Sequence, residues 1–280
     1  MKSILVPVED GADLPAQLET TLLAAKPFGA HIDGVAPRPA ADVYFYGDGV
    51  SPIALDQWQR DDEERAQRAQ SAFRDFMRQR DVAWGDPKKP SEQPTADWLG
   101  DAVPGLDAIG QLARLYDVTV LAQPSPEASM PRSALLETIL FESGHPILVT
   151  PPEAPAKLGE VVMIAWNGST ESARAVTMAH PFLTRASRVV VLSVEGGMVA
   201  GPDAGDVERT LCRAGIAAEA NTVRPGSLTT GEAILAEADK AGADLLVKGA
   251  YTQSRLRQMI FGGATSHILS TSKIPVLMAH

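Results

Sequence analysis

The chain alternates short apolar runs with longer amphipathic stretches. Ile4-Leu5-Val6-Pro7-Val8 is the first run, and the polar turn Glu9-Asp10-Gly11 follows it. Pro15 to Lys26 has helical patterning, and Ala30 to Val35 is apolar again. The same order recurs in the second half. There Val161 to Trp166 is apolar, Asn167-Gly168-Ser169 is the turn, Glu171 to Leu183 is helical, and Arg188 to Val194 is apolar. Further on, Asp117 to Ala122 matches Asp244 to Gly249. Gly144-His145-Pro146-Ile147-Leu148-Val149 matches Ser272-Lys273-Ile274-Pro275-Val276-Leu277. Between these pairs each half holds a loop and a helix, Ser133 to Glu142 and Gly263 to Ser270.

Short apolar runs separated by helices predict parallel strands covered on both faces. The internal repeat predicts two tandem α/β domains, 1–150 and 156–280. Each is expected to be an open, doubly wound, Rossmann-like parallel sheet of five strands. Thr150 to Pro155 is the linker, where prolines stop both helix and sheet. In the second domain the third strand is expected over Glu219 to Val223. The first half carries an addition, an amphipathic helix over Asp56 to Arg80, which reads as a solvated helix with acids near its start. Val82 to Val103 reads as a long loop with at most one short strand.

Composition narrows the function. A chain of 280 residues with 45% hydrophobic and 21% charged positions excludes disordered and coiled-coil classes. Its net charge of −10 argues against general nucleic-acid binding. The excess acid lies in residues 1–155, with 24 acidic against 13 basic residues, whereas residues 156–280 have 11 and 12. A polyanionic ligand is therefore expected in the second half. No apolar window is long enough for a membrane span, and the apolar start is too short for a signal peptide. With a lone cysteine, Cys212, a cytoplasmic location is expected. Cys212 itself reads as a buried structural thiol on a helix.

Candidate chemistry is sparse. The five histidines form no zinc pattern with Cys212, and no H-E-x-x-H or G-x-S-x-G occurs. No catalytic residue and no metal ligand is assigned. Open parallel sheets bind ligands beyond the carboxyl ends of their strands. In the second half those ends are Ala165-Trp166-Asn167-Gly168-Ser169, Ser193-Val194-Glu195-Gly196, Arg224-Pro225-Gly226 and Lys248-Gly249-Ala250-Tyr251-Thr252. Gly262-Gly263-Ala264-Thr265 then opens a helix. A glycine pair there either exposes N–H groups to a phosphate or simply caps the helix. Arg255 and Arg257 precede it and either clamp phosphates or face solvent.

Gly249, position 252 and Gly262 keep the spacing G-x2-G-x9-G, and Ile274-Pro275-Val276-Leu277-Met278 closes the chain as a strand rich in apolar residues. On these residues the chain resembles a tandem universal stress protein of the UspA family. The resemblance implies an adenine nucleotide α-hydrolase-like fold and a stress-response protein that binds ATP or AMP in its second domain, with Mg2+ accompanying ATP. It places the nucleotide at Ala165, Trp166, Asn167, Gly168, Val194, Gly249, Thr252, Arg255, Gly262, Gly263, Ala264 and Thr265. Phosphates would rest on the amides of Gly262, Gly263 and Ala264, with adenine between Val194 and the end of the first strand. Three positions depart from the family pattern. Thr252 replaces a glycine, Gly263 replaces Ser or Thr, and Asn167 replaces Asp. The first half lacks the glycine motif, carries Ala122-Gln123-Pro124-Ser125-Pro126-Glu127 in its place, and is read as degenerate for ATP. The resemblance also implies that the two domains pair through their last strands, Ile147–Val149 near Val276–Met278, and allows a homodimer of whole chains. An interaction module without nucleotide and a slow ATPase are the alternatives.

Overall fold

Asp117 and Asp244, matched in the sequence repeat, hold the start of the first strand in their own halves. The Asp117 carboxylate accepts from the backbone N–H of Lys2 at 2.5 Å and of Ser3 at 3.0 Å. The Asp244 carboxylate accepts from Gly159 at 2.7 Å, Glu160 at 3.1 Å and Val161 at 3.3 Å. The first strand enters each sheet with its leading amides satisfied, as buried backbone requires. The computed structural model describes residues 1–38, 52–86, 88–100, 105–124, 132–250 and 263–280. Two compact units divide it, Met1–Ser143 and Gly144–His280.

In the first unit the strands are β1 (Ser3–Pro7), β2 (His31–Val35), β3 (Ala83–Trp84), β4 (Thr95–Trp98) and β5 (Val118–Ala122). They pair in parallel in the order β3-β4-β2-β1-β5. The helices are α1 (Leu14–Ala25), α2 (Pro52–Gln79), α3 (Leu106–Leu112) and α4 (Arg132–Glu142). The stretch 82–103 is corrected: it holds two strands where one at most was expected. β4 starts with Thr95 and Ala96 buried beside β2 and ends with Asp97 and Trp98 half-buried, and β3 forms the exposed edge. Phe73 of α2 is fully buried and packs on Trp98 and Trp84, with ring centroids 5.6 and 6.1 Å away. That apolar seam is what holds the two strands on the sheet. A side chain on Gly34 of β2 would meet the Trp98 ring at 2.7 Å, so glycine there admits the indole.

In the second unit β6 (Ile147–Thr150) precedes β7 (Val161–Ala165), β8 (Arg188–Val194), β9 (Ala218–Val223), β10 (Leu245–Gly249) and β11 (Val276–Ala279). Five strands are parallel in the order β11-β10-β7-β8-β9, and β6 joins β11 antiparallel. Val276 pairs with Val149, Leu277 with Leu148, and Met278 with Ile147, all buried. The helices are α5 (Thr170–Met178), α6 (His180–Leu183), α7 (Ala204–Arg213), α8 (Thr230–Ala241) and α9 (Gly263–Thr271). The helix expected over 171–183 is two, because Pro181 lies in the first turn of α6, where its missing N–H costs nothing. Cys212 is exposed, not buried as expected. The buried stripe of α7 is Ala204, Val207 and Leu211, and Cys212 falls one residue off it.

In both units the chain runs outward on one side of its first strand and then returns to the other. The order reverses between β1 and β5 in one, and between β7 and β10 in the other. Among the described residues no helix is long and apolar enough to cross a membrane.

Candidate functional site

The carboxyl ends of the second unit's strands carry most of the residues singled out by the sequence. Trp166 follows β7 and is buried. Its backbone N–H bonds to Leu192 O at 2.8 Å, and its indole Nε1 donates to Pro202 O at 2.8 Å. Asn167 Oδ1 accepts from Ser169 N at 3.2 Å, while Asn167 O accepts from Val199 N at 2.8 Å. Gly168 has φ +85, and a side chain on Gly201 would meet Gly168 O at 2.4 Å. Residues 199–202 thus fold across the end of β7, and the two glycines permit the approach. Ser169 caps α5 by accepting from Ser172 N at 3.1 Å.

Gly249 ends β10 against the start of α5. A Cβ there would lie 2.4 Å from Ser172 N and 2.6 Å from Glu171 C, so only glycine lets helix and strand close. Beside it, Lys248 is 6% exposed in a strand otherwise made of leucine, valine and glycine. Its Nζ donates to Gly249 O at 2.6 Å and to Thr265 Oγ1 at 2.9 Å. Burial pulls its pKa down to about 8.

A cleft of about 620 Å³ opens beyond the ends of β8 and β9. Glu195 and Gly196, immediately after β8, form one wall. Pro225, Leu228 and Thr229 come from the connection between β9 and α8. Thr230 and Glu232 open α8, and Gly263, Ala264 and His267 open α9. Two helix N-termini therefore face one space, which favours an anion. That of α8 is already satisfied. Thr229 Oγ1 accepts from Glu232 N, and the Glu232 carboxylate accepts from Thr229 N at 2.7 Å. This backbone bond holds the Glu232 carboxyl below its usual range. At α9, among the described residues, nothing lies within 4 Å of the place a Cβ on Gly263 would take. Glu195 pairs with Arg224 at 2.9 Å on the exposed rim.

The structure brings Gly263 and Ala264 to this cleft, next to the end of β8 at Val194, which is itself buried. Thr265 lies under the first turn of α9 against Lys248. Ala165, Trp166, Asn167 and Gly168 sit at the end of β7 beneath residues 199–202 and do not line the cleft. Thr252, Arg255 and Gly262 lie outside the described residues, as does Arg257. The sequence placed Glu195, Pro225 and Lys248 at strand ends without assigning them to the site, and Leu228 to Glu232 were passed over. For Lys248 the signal was present: a lone lysine inside a buried strand run. Among the described residues no group of His, Cys, Asp and Glu is placed to hold a metal ion.

The corresponding end of the first unit is built differently. Arg132, only 10% exposed, opens α4 where Gly263 opens α9. Its Nε donates to Glu9 Oε2 at 3.0 Å, and its Nη2 to Asp13 Oδ1 at 3.0 Å. Nη1 also bonds Asp13 Oδ2, and reaches Gln123 O at 3.2 Å. Buried Gln17 bridges the ends of β1 and β5, donating to Pro7 O at 3.0 Å and Val120 O at 3.1 Å. Burial raises the Glu9 carboxyl despite Arg132 beside it.

Comparison with known proteins gives a consistent picture. Residues 200–280 match the model of the Universal stress protein family. A universal stress protein of Synechocystis sp. is 27% identical over 179 residues, which cover 61% of each chain. The chain thus spans about three fifths of that relative's length. Among solved structures, a universal stress protein from Archaeoglobus fulgidus aligns with a TM-score of 0.71 at 15% identity, over 99% of this chain and 97% of that one. A putative universal stress protein from Pseudomonas aeruginosa aligns with a TM-score of 0.50 at 16% identity, over 100% and 93%. At these identities the likeness is one of fold.

Proposed function

We propose that the chain is a universal stress protein, on the match of residues 200–280 to that family's model and the likeness to the Synechocystis protein, and that its second unit binds one adenine nucleotide, ATP or AMP. The observation that carries the reading is the place of Gly263 and Ala264. They start α9 and open onto a cleft whose opposite wall begins at Glu195, one residue past β8. Phosphate oxygens would take amides of the first turn of α9, where the helix dipole favours negative charge. Pro225 and Leu228 offer an apolar wall for the base. Glu195, at the end of the unit's second strand, suits the ribose hydroxyls, the role a carboxylate takes at that place in dinucleotide folds. Mg2+ carried with ATP lessens repulsion between its phosphates and the Glu232 carboxylate.

The first unit takes no nucleotide in this reading. Its helix start is occupied by Arg132, already neutralised by Glu9 and Asp13. The function in this reading is binding that reports nucleotide state, and among the described residues no nucleophile paired with a general base stands at the cleft. Mass spectrometry of small molecules released from freshly purified protein tests this, with adenine nucleotide expected in near-stoichiometric yield. Titration calorimetry with ATP is expected to give one site per chain. Two sites, or a site lost on substitution in the first unit, would contradict it. If no adenine nucleotide binds at millimolar concentration, an interaction module of the same fold takes its place.

A further inference from the structure

Lys248 is the least comfortable charge in the second unit. It is 6% exposed, and among the described residues no carboxylate stands within ion-pair distance of its Nζ. Its two partners are a carbonyl and a hydroxyl, neutral acceptors that leave the net charge uncompensated. Thr265 belongs to the first turn of α9, so the ammonium also sits at the positive end of that helix. A buried cation without a counter-ion, set against a helix N-terminus, is unfavourable on each count. Nothing in packing requires it, since the surrounding strand residues are apolar. A bound anion removes all three penalties at once.

We propose that Lys248 is a phosphate ligand, its buried ammonium meeting the phosphate oxygens of a nucleotide bound at the N-terminus of α9. This rests on the nucleotide reading above and adds to it a specific residue and a charge requirement. Gly263 and Ala264 supply backbone donors from above. Lys248 does not itself line the cleft; its Nζ is held by the Thr265 hydroxyl, two residues after Gly263 in the first turn of α9, and in the proposal it supplies the full charge there. The site therefore selects for the phosphate groups of the ligand, and adenosine alone gains nothing from Lys248. Because the amine lies in a low-dielectric setting, its attraction for phosphate exceeds that of a surface lysine. Stability and binding are then opposed at this residue: the charge destabilises the empty protein and tightens the ligand.

The test is titration calorimetry on the full chain at pH 7 with ATP and with inorganic tripolyphosphate, using wild type, Lys248→Met and Thr265→Val, alongside thermal unfolding without ligand. Both probes are expected to bind wild type. Lys248→Met is expected to weaken each by at least tenfold while raising the melting temperature of the empty protein. Thr265→Val, which leaves the amine but frees it, is expected to weaken both by a few-fold. If Lys248→Met binds ATP as wild type does, the lysine assignment is overturned and the nucleotide reading stands. If tripolyphosphate binds in a Lys248-dependent way and ATP binds no tighter, the lysine assignment stands and the adenine reading fails. If neither probe binds wild type, both fall.

Discussion

The start of α4 and the start of α9 occupy the same place in two copies of one fold, and they treat charge in opposite ways. In the first unit a guanidinium lies at the helix start and two carboxylates meet it, so the end of the sheet is filled and its cation is fully compensated. In the second unit, among the described residues, the helix begins with a glycine that nothing crowds, and the cation beneath it has no anionic partner. One site has supplied its own counter-ions, while the other leaves that part to a ligand. A duplicated fold can thus keep its architecture in both copies while only one retains a vacancy that chemistry can use.

The comparison can be broken most forcefully in the first unit. Arg132→Ala leaves Glu9 buried without its cation, and about 3 kcal/mol of stability is expected to be lost. Urea unfolding measures this, and the Glu9→Gln, Arg132→Met double variant is expected to recover much of the loss. If Arg132→Ala alone is neutral, the ion-pair cluster does not hold this end of the unit together.

In the second unit Gly263→Asp is expected to reduce ATP affinity about a hundredfold, or roughly 2.7 kcal/mol. It sets a carboxylate beside phosphate where the backbone must approach. The side chain itself has room, so the melting temperature of the empty protein should hardly move. Unchanged affinity would remove the phosphates from α9.

Lys248→Met gives an effect of the opposite sign on stability, with a pH signature. The folded protein releases the Lys248 proton near pH 8, whereas the unfolded chain holds it to about 10.4. Between those values the unfolded chain binds more protons, so this group makes stability rise with pH. Below about pH 8 both states are charged and the full burial cost is present. The methionine variant is therefore expected to gain roughly 3 kcal/mol at pH 7, and the gain should vanish toward pH 10.5. Among the described residues the other ionisable groups on the packed elements are Glu171 and Arg174 of α5, His267 of α9 and His280 after β11. Paired pH-dependent denaturation curves of the two proteins isolate Lys248 from them. A gain that does not decline with pH would show that the amine is not buried as a cation.

The smallest effect concerns the helix caps near the cleft. Thr229→Ala removes the reciprocal cap of α8 and is expected to cost about 1 kcal/mol. ATP affinity should change little, because that helix end is already satisfied internally.

Much of the architecture was legible because parallel strands buried on both faces leave unbroken apolar runs. β7, β8 and β10 announce themselves, and the Asp117–Asp244 match marks equivalent strand starts. β3 and β4 were hidden because they are short, lie among prolines, and owe their place to Phe73 in a distant helix. At the site, Gly263 was visible from local spacing, since a helix start is a local event. The closure of residues 199–202 over Asn167 was not, because a contact between Gly201 and Gly168 is tertiary. The wall from Pro225 to Thr229 was not assigned to the site for the same reason. Lys248 was written plainly in its strand, but a strand pattern scores the run and forgives the exception.

Strand β6 has a consequence for how the protein is made. It is synthesised before the linker, yet its antiparallel partner β11 lies more than a hundred residues further along. At ribosomal speeds of 5–20 residues per second, Val149 waits on the order of ten seconds for Val276 to emerge. For that interval Ile147, Leu148 and Val149 lack their β11 partners, and a second nascent chain is offered the same sticky segment. Cutting the chain at residue 156 would impose the converse problem for good, leaving the β11 edge uncovered. A fragment beginning at Gly144 carries its own cover, and is the one to express.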